Sequence, residues 1–439
     1  MKIEYLYIDG YKNLSGFQVY IEKDTTLLAI AGRNGSGKSN VMEAIAEIFT
    51  SVMNGGDEPK FTFALQYSIH GDEVMISNQS GTLVIAKDGK PVSKSRQRLL
   101  MPLTLFLYYA GETERLKNIS DNAMDKAFGK SIKGTVMPSY KSISYLSVKD
   151  FGLSMMVNRC FSHNISRTLE ETLSIEGISK ECTIILKRPQ WRKRGTPDNF
   201  WNAKGYVAEV LELLKTNGEY RIISSEKAII YLPDCEALRN EFSGPEWLYK
   251  SLKILMQADI LDHIEIDVIK NGQSFDCHEL SEGEKQLGNL LSVLNFTKEY
   301  NALFLLDEFD SHLHPSWQRD FSALVNEENI TGQVLFTTHS SLTLGQMRNN
   351  SVFLMNDGQI FESSIDTYNR DASEIMEELM EVSLRPRHIE VLIAGFNKSI
   401  AQKNPDAAKQ FRKELAQQLG KDDPFFITAD LSITRIEHR

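Results

Sequence analysis

Cysteine is scarce. The chain of 439 residues has four, Cys160, Cys182, Cys235 and Cys277. They form no CxxC pair and no set with histidine at metal-ligand spacing. That excludes a disulfide-stapled scaffold and a structural zinc motif, and leaves reduced, mostly buried thiols. Long apolar runs are missing too: nothing approaches the roughly 18 consecutive apolar residues of a membrane span, so no membrane contact is expected. The N-terminus MKIEYLYIDG carries Lys2 and Glu4 where a secretory leader needs its apolar core, and it alternates like a strand. The expected location is cytoplasmic. An excess of positive charge is also lacking, since 49 Lys and Arg against 59 Asp and Glu give a net charge of -10. Any nucleic-acid contact must therefore come from a local patch or an assembly. Finally, no heptad pattern is sustained over several repeats, which excludes long coiled-coil arms.

Against these absences stand four stretches that carry chemistry. Residues 27 to 52, LLAIAGRNGSGKSNVMEAIAEIFTSV, read as a buried strand, a glycine-rich turn and a helix with apolar Val41, Ala44, Ile45 and Ile48. Gly32, Gly37, Lys38 and Ser39 fit the spacing G-x-x-x-x-G-K-[ST], whose backbone N–H groups wrap phosphates at a helix N-terminus. The candidate nucleotide-binding set is Gly32, Asn34, Gly35, Ser36, Gly37, Lys38, Ser39 and Asn40. Within it Lys38 would reach the β- and γ-phosphates of ATP and the Ser39 hydroxyl would hold Mg²⁺.

The second stretch, Leu303 to Glu308, is an apolar strand ending in two acids. Asp307 is placed to hold Mg²⁺ through water and Glu308 to polarise an attacking water. A third, Val334 to Thr338, is another strand; it delivers His339, suited to sensing a γ-phosphate. Between Ser39 and these lies Leu280-Ser281-Glu282-Gly283-Glu284-Lys285-Gln286, which by itself is a helix N-cap with acids in its first turn, opening a helix that runs to about Tyr300. The candidate catalytic residues are Lys38, Glu308 and His339, and the candidate metal ligands Ser39 and Asp307.

The combination GRNGSGKS, LSEGEKQ, LFLLDE and TTHS resembles the ABC ATPase superfamily, in its RecF- and SMC-like branch rather than the transporters. The resemblance implies an α/β fold: an ABC-type P-loop ATPase head built from both chain ends, with a mixed α/β lid insert and a C-terminal helical extension. It also implies that two protomers sandwich two nucleotides, with Ser281 and Gly283 touching the γ-phosphate in trans. Ser311 to Pro315 occupies the position of the loop joining the two sites, so His312 and His314 need not be metal ligands. A narrower likeness, to compact ATPases of anti-phage systems such as Septu and retron loci, rests on DEFDSHLHPSWQ, Tyr108 to Glu112, ASEIMEELMEVSLRP and LGKDDP. Two positions depart from the superfamily pattern: Glu282 and Glu284 replace a glycine and a glutamine, and no lid glutamine is evident, so the region around Tyr109 and Glu112 is assigned to that lid.

The expected organisation is 1–110 for the N-terminal half of the head, 111–245 for the insert, 246–365 for the C-terminal half and 366–439 for a helical tail. The insert carries the densest basic run, 187–194 with Trp191 inside it, which is either a nucleic-acid contact or a solvated loop. In the tail Phe411, Leu415 and Leu419 form an apolar stripe, to be covered by the ATPase body or by a partner. The function these features imply is an ATP-hydrolysing subunit of an anti-phage defence system. It would act as a homodimer or higher oligomer that gates a separate effector, for instance an HNH nuclease. The competing reading is a RecF-like DNA-repair ATPase that clamps on DNA without an effector.

Overall fold

The computed structural model describes residues 1–53, 58–111, 113–132, 141–162, 167–190, 195–363, 366–379, 385–420 and 422–437. Glu112, residues 191–194 of the basic run and 380–384 of the ASEIMEELMEVSLRP stretch lie outside them. The chain forms two compact units, Met1–Arg370 and Asp371–Arg439.

A seven-stranded sheet organises the first unit, in the order Gln359–Glu362, Val352–Asn356, Leu27–Gly32, Gln333–Thr338, Leu303–Asp307, Thr104–Tyr109, Ser142–Tyr145. Every pairing but the first is parallel. Strands of a parallel sheet are covered on both faces, so they read as unbroken apolar runs. Leu303–Asp307 and Gln333–Thr338 are accordingly buried at every position. The helix Lys38–Met53 lays Val41, Ala44, Ile45 and Ile48 into the core. Strands from both ends of the chain thus build one head, as the resemblance implied.

A six-stranded antiparallel sheet, Phe17–Tyr20, Lys2–Asp9, Thr62–Ile69, Asp72–Ser77, Val84–Lys87 and Lys90–Pro91, shares its apolar cluster with the main sheet. Its outer strand Phe17–Tyr20 alternates buried and exposed, the pattern of a sheet wetted on one side. A third, antiparallel sheet runs Glu219–Ile222, Lys227–Leu232, Gly177–Lys187, Leu261–Lys270, Gln273–Asp276. It takes strands from both sides of residue 245, while Ser142–Tyr145 forms the outer strand of the main sheet. Three of the cysteines, far apart in sequence, meet at this sheet: the Cys160 thiol donates to the Cys235 carbonyl at 2.9 Å, and Cys182 lies close enough to Cys235 to feel its charge. All four are free and buried. The longest helix among the described residues, Arg115–Ile132, has 18 residues, about 27 Å. No described helix is long and apolar enough to cross a membrane.

The second unit contains helices Ala372–Glu378, Arg387–Ala401, Pro405–Leu415 and Phe425–Glu437. Pro405 opens its helix behind an Asn404 cap. Within this unit the stripe Phe411, Leu415, Leu419 packs against neighbouring helices. Phe411 packs with Phe396, Ala408, Ala429 and Ile433, and Leu415 and Leu419 with Ile389 and Phe426. Gly395 makes room for this, because a Cβ there would lie 2.6 Å from the Phe411 ring. Bidentate pairs Arg385–Asp423 and Arg412–Asp430 tie the same helices together.

Candidate nucleotide-binding site

The carboxyl ends of parallel strands are where such sheets bind ligands, and here those ends carry Gly32, Asp307 and Thr338. After Leu27–Gly32 the loop turns through positive φ at Gly32, Gly35 and Gly37. Two of these glycines are also sterically required. A Cβ on Gly32 would lie 2.3 Å from the Met355 carbonyl oxygen, and one on Gly37 2.7 Å from Asn13 Oδ1. Asn34 and Gly35 are exposed at the crest; Ser36 is buried beneath it. The Ser36 carbonyl accepts from Asn13 Nδ2 at 3.1 Å and from the Gly358 N–H at 2.8 Å, while Asn40 Nδ2 donates to Asn13 Oδ1 at 2.7 Å. Lys38 folds back on the loop, its Nζ donating to the Gly32 and Arg33 carbonyls at 3.0 and 3.1 Å.

Across from this loop Asp307 is 1% exposed; its carboxylate accepts from the Thr337 hydroxyl and has the Ser39 side chain beside it. Burial raises its pKa against those two neighbours, and Glu308 adds to the rise. Glu308 sits in left-handed backbone, φ 54°, a conformation that costs a non-glycine residue about 1 kcal/mol or more. Its N–H is fixed to Thr337 Oγ1 at 2.9 Å, and its Oε1 stands 3.7 Å from His339 Nε2. Burial, then the Lys38 charge, holds His339 below its ordinary pKa, with Glu308 opposing. Lys38, Ser39, Asp307, Glu308 and His339, spread over some three hundred residues of chain, are therefore brought to one place.

Ser281 and Gly283 lie elsewhere on the head, at the start of the helix Glu282–Thr297. Ser281 is exposed and closes a capping box with Glu284. Gly283 lets the segment after the acidic strand pass close by, since a Cβ would meet the His312 carbonyl oxygen at 3.0 Å. His314 accepts from the Ser316 N–H as the cap of Pro315–Glu327, and His312 Nε2 lies 3.4 Å from the Ala110 carbonyl. Ala110 follows Tyr109, the strand end beside Asp307, to whose carbonyl it donates at 3.2 Å.

The family model described as "AAA domain, putative AbiEii toxin, Type IV TA system" matches residues 168–345. Similar proteins include the retron Ec83 probable ATPase of Escherichia coli, 27% identical over 39% of this chain and 34% of that protein. The retron Vc95 probable ATPase of Vibrio cholerae serotype O1 biovar El Tor is 22% identical over 86% of this chain and 78% of its own length. The Septu protein PtuA of Bacillus thuringiensis is 26% identical over 29% of this chain and 34% of that one. The chain resembles defence-system ATPases. Among solved structures it is similar to the SMC head domain from Thermotoga maritima (TM-score 0.38, 15% identity, 83% of this chain and 100% of that one). Another is the recombination mediator RecF with ATP (0.36, 14%, 83% and 98%). The match spans about a third of the length of the Ec83 and PtuA relatives.

Three further residues, outside the candidate set, support the site. Thr337 joins Asp307 to the Glu308 backbone. Asp310, 2% exposed, accepts from the Thr338 and Thr343 hydroxyls and so braces the strand end that carries His339. Asn13 anchors the glycine loop. A hint existed for the first two: paired threonines end an otherwise apolar strand, and a third acid follows Asp307 and Glu308.

Proposed function

We propose that the chain binds MgATP through the 32–40 loop, hydrolyses it between two copies of itself, and thereby gates a separate effector, a nuclease, in an anti-phage defence system. One observation carries the nucleotide reading. The Ser39 side chain and the Asp307 carboxylate stand beside each other at the mouth of a phosphate-wrapping loop, a pair of hard oxygen donors of the kind Mg²⁺ takes. Ser39 and Asp307 would hold the ion, which when bound neutralises charge on the β- and γ-phosphates. Lys38 exchanges its two backbone acceptors for phosphate oxygens. Glu308, its backbone held by Thr337, orients and polarises the attacking water. His339, neutral at pH 7, stays within reach of the same water and of the γ-phosphate. Ser281 and Gly283 would complete the site from the second copy. The defence-system part of the reading is supported by the likeness to the retron ATPases and the Septu protein.

The expected outcome for the purified protein is slow ATP hydrolysis, measured as phosphate release, without DNA cleavage. Lys38→Ala should abolish turnover, and Glu308→Gln should stop it while accumulating an ATP-bound dimer in sedimentation. Hydrolysis that survives Lys38→Ala would refute the nucleotide assignment. Nuclease activity of the isolated chain that survives it would refute gating in trans. Tight ATP-dependent DNA binding by the protein alone would favour the DNA-clamp alternative.

A further inference from the structure

The exposed end of the helix Glu282–Thr297 is the surface that must meet a partner's triphosphate in the function proposed above, and its first turn bears two carboxylates, Glu282 and Glu284. Ser281 does not present a free hydroxyl there. Its Oγ–H donates to Glu284 Oε2 at 2.6 Å and its N–H to the same oxygen at 2.9 Å, while the Glu284 N–H donates to Ser281 Oγ at 3.3 Å. The other carboxylate oxygen, Glu284 Oε1, takes Lys270 Nζ at 2.6 Å. Lys270 is the last residue of Leu261–Lys270 in the third sheet, and both members of the ion pair are largely shielded, 24% and 16% exposed. Burial pushes Glu284 up, but the bonds from Lys270 and Ser281 outweigh it and hold the carboxyl below its usual range. Glu284 is thus an anion at neutral pH. The other nearby lysine, Lys285, is turned to the His278 carbonyl at 3.0 Å.

We propose that Lys270 is the counter-charge that lets the Ser281 end of this helix receive a partner subunit's nucleoside triphosphate, acting as a positioning residue through Glu284. The proposal rests on the two-copy ATP reading given above. With Lys270 present, Ser281, Glu284 and Lys270 form a neutral unit. Glu284 stays on Lys270 when Ser281 turns its proton from the carboxylate to a phosphate oxygen. With Lys270 gone, an uncompensated carboxylate within hydrogen-bond distance of the serine both retains that proton and repels the incoming phosphate.

The test uses the full chain carrying Glu308→Gln and follows dimer formation against ATP concentration by sedimentation. Adding Lys270→Gln should raise the ATP needed for half-maximal dimer about tenfold, the loss of one charge-assisted contact. Lys270→Arg should behave like the parent. Combining Lys270→Gln with Glu284→Gln should return the parent value, because glutamine still serves the capping box while the unpaired charge is gone. Binding of a fluorescent ATP analogue to each variant's own loop should be unchanged, which separates a charge effect from misfolding. Lys270→Gln dimers forming at the parent's ATP concentration overturn the inference, as does a double variant no better than Lys270→Gln. A Glu308→Gln parent that binds the analogue yet never dimerises overturns the two-copy reading, and this inference with it.

Discussion

Packed against the glycine loop, the Lys38 ammonium has lost most of its water. Burial lowers its pKa from 10.5 to about 8, with Asp307 and Glu308 opposing. The unfolded chain therefore binds more protons between about pH 8 and 10.5. The destabilising contribution is full below the folded value and fades as pH rises to the unfolded one. Lys38→Met is expected to stabilise the nucleotide-free protein by about 2 kcal/mol at pH 7 in urea melts. The gain should shrink toward pH 10, and ATP turnover should be lost. A methionine variant that melts at or below the wild type at pH 7 would refute this account of the lysine. Thr337 poses the opposite case, a hydroxyl that stabilises and orients together. Thr337→Val leaves the Asp307 carboxylate and the Glu308 N–H each short of a partner, so stability should fall by about 2 kcal/mol. Phosphate release should drop at least about tenfold, the 1.4 kcal/mol that one such bond is worth. Thr337→Ser should restore both.

Between elements, the glycine loop is held from outside its own strand and helix. Asn13 lies in the turn after Lys2–Asp9, and Gly358 in the turn between Val352–Asn356 and Gln359–Glu362. Removing the first anchor with Asn13→Ala should weaken ATP binding about fivefold, the worth of roughly one hydrogen bond, with turnover at saturation little changed. An equal fall in turnover at saturating ATP would show that Asn13 acts in the chemical step instead. The same contrast explains what could be read from sequence. The run LLAIAGRNGSGKS is strand, turn and helix in one stretch, so its geometry is local and its residues announce it. Asn13, Asp310 and Lys270 serve through contacts with other elements, and no local spacing encodes a partner. The third sheet is a similar case. Nothing local in Gly177–Lys187 says that Leu261–Lys270, beyond residue 245, lies beside it. The tail stripe was legible as a stripe; what covers it was not.

At the scale of the molecule, the main apolar cluster of the first unit draws on residues from Met1 to Met355. A chain ending at Arg370 is therefore expected to fold and to bind ATP with the affinity of the full protein, checked by titration of a fluorescent nucleotide. Loss of binding would mean that the helices after Asp371 support the site. The interleaved sheet has a further consequence. Leu27–Gly32 is flanked on one side by Gln333–Thr338 and on the other by Val352–Asn356, so neither neighbour exists when the ribosome has just made it. At roughly 5 to 20 residues per second, this apolar strand waits on the order of 15 to 60 s for its partners. During translation it is an uncovered, aggregation-prone edge that a nascent-chain chaperone would have to shield.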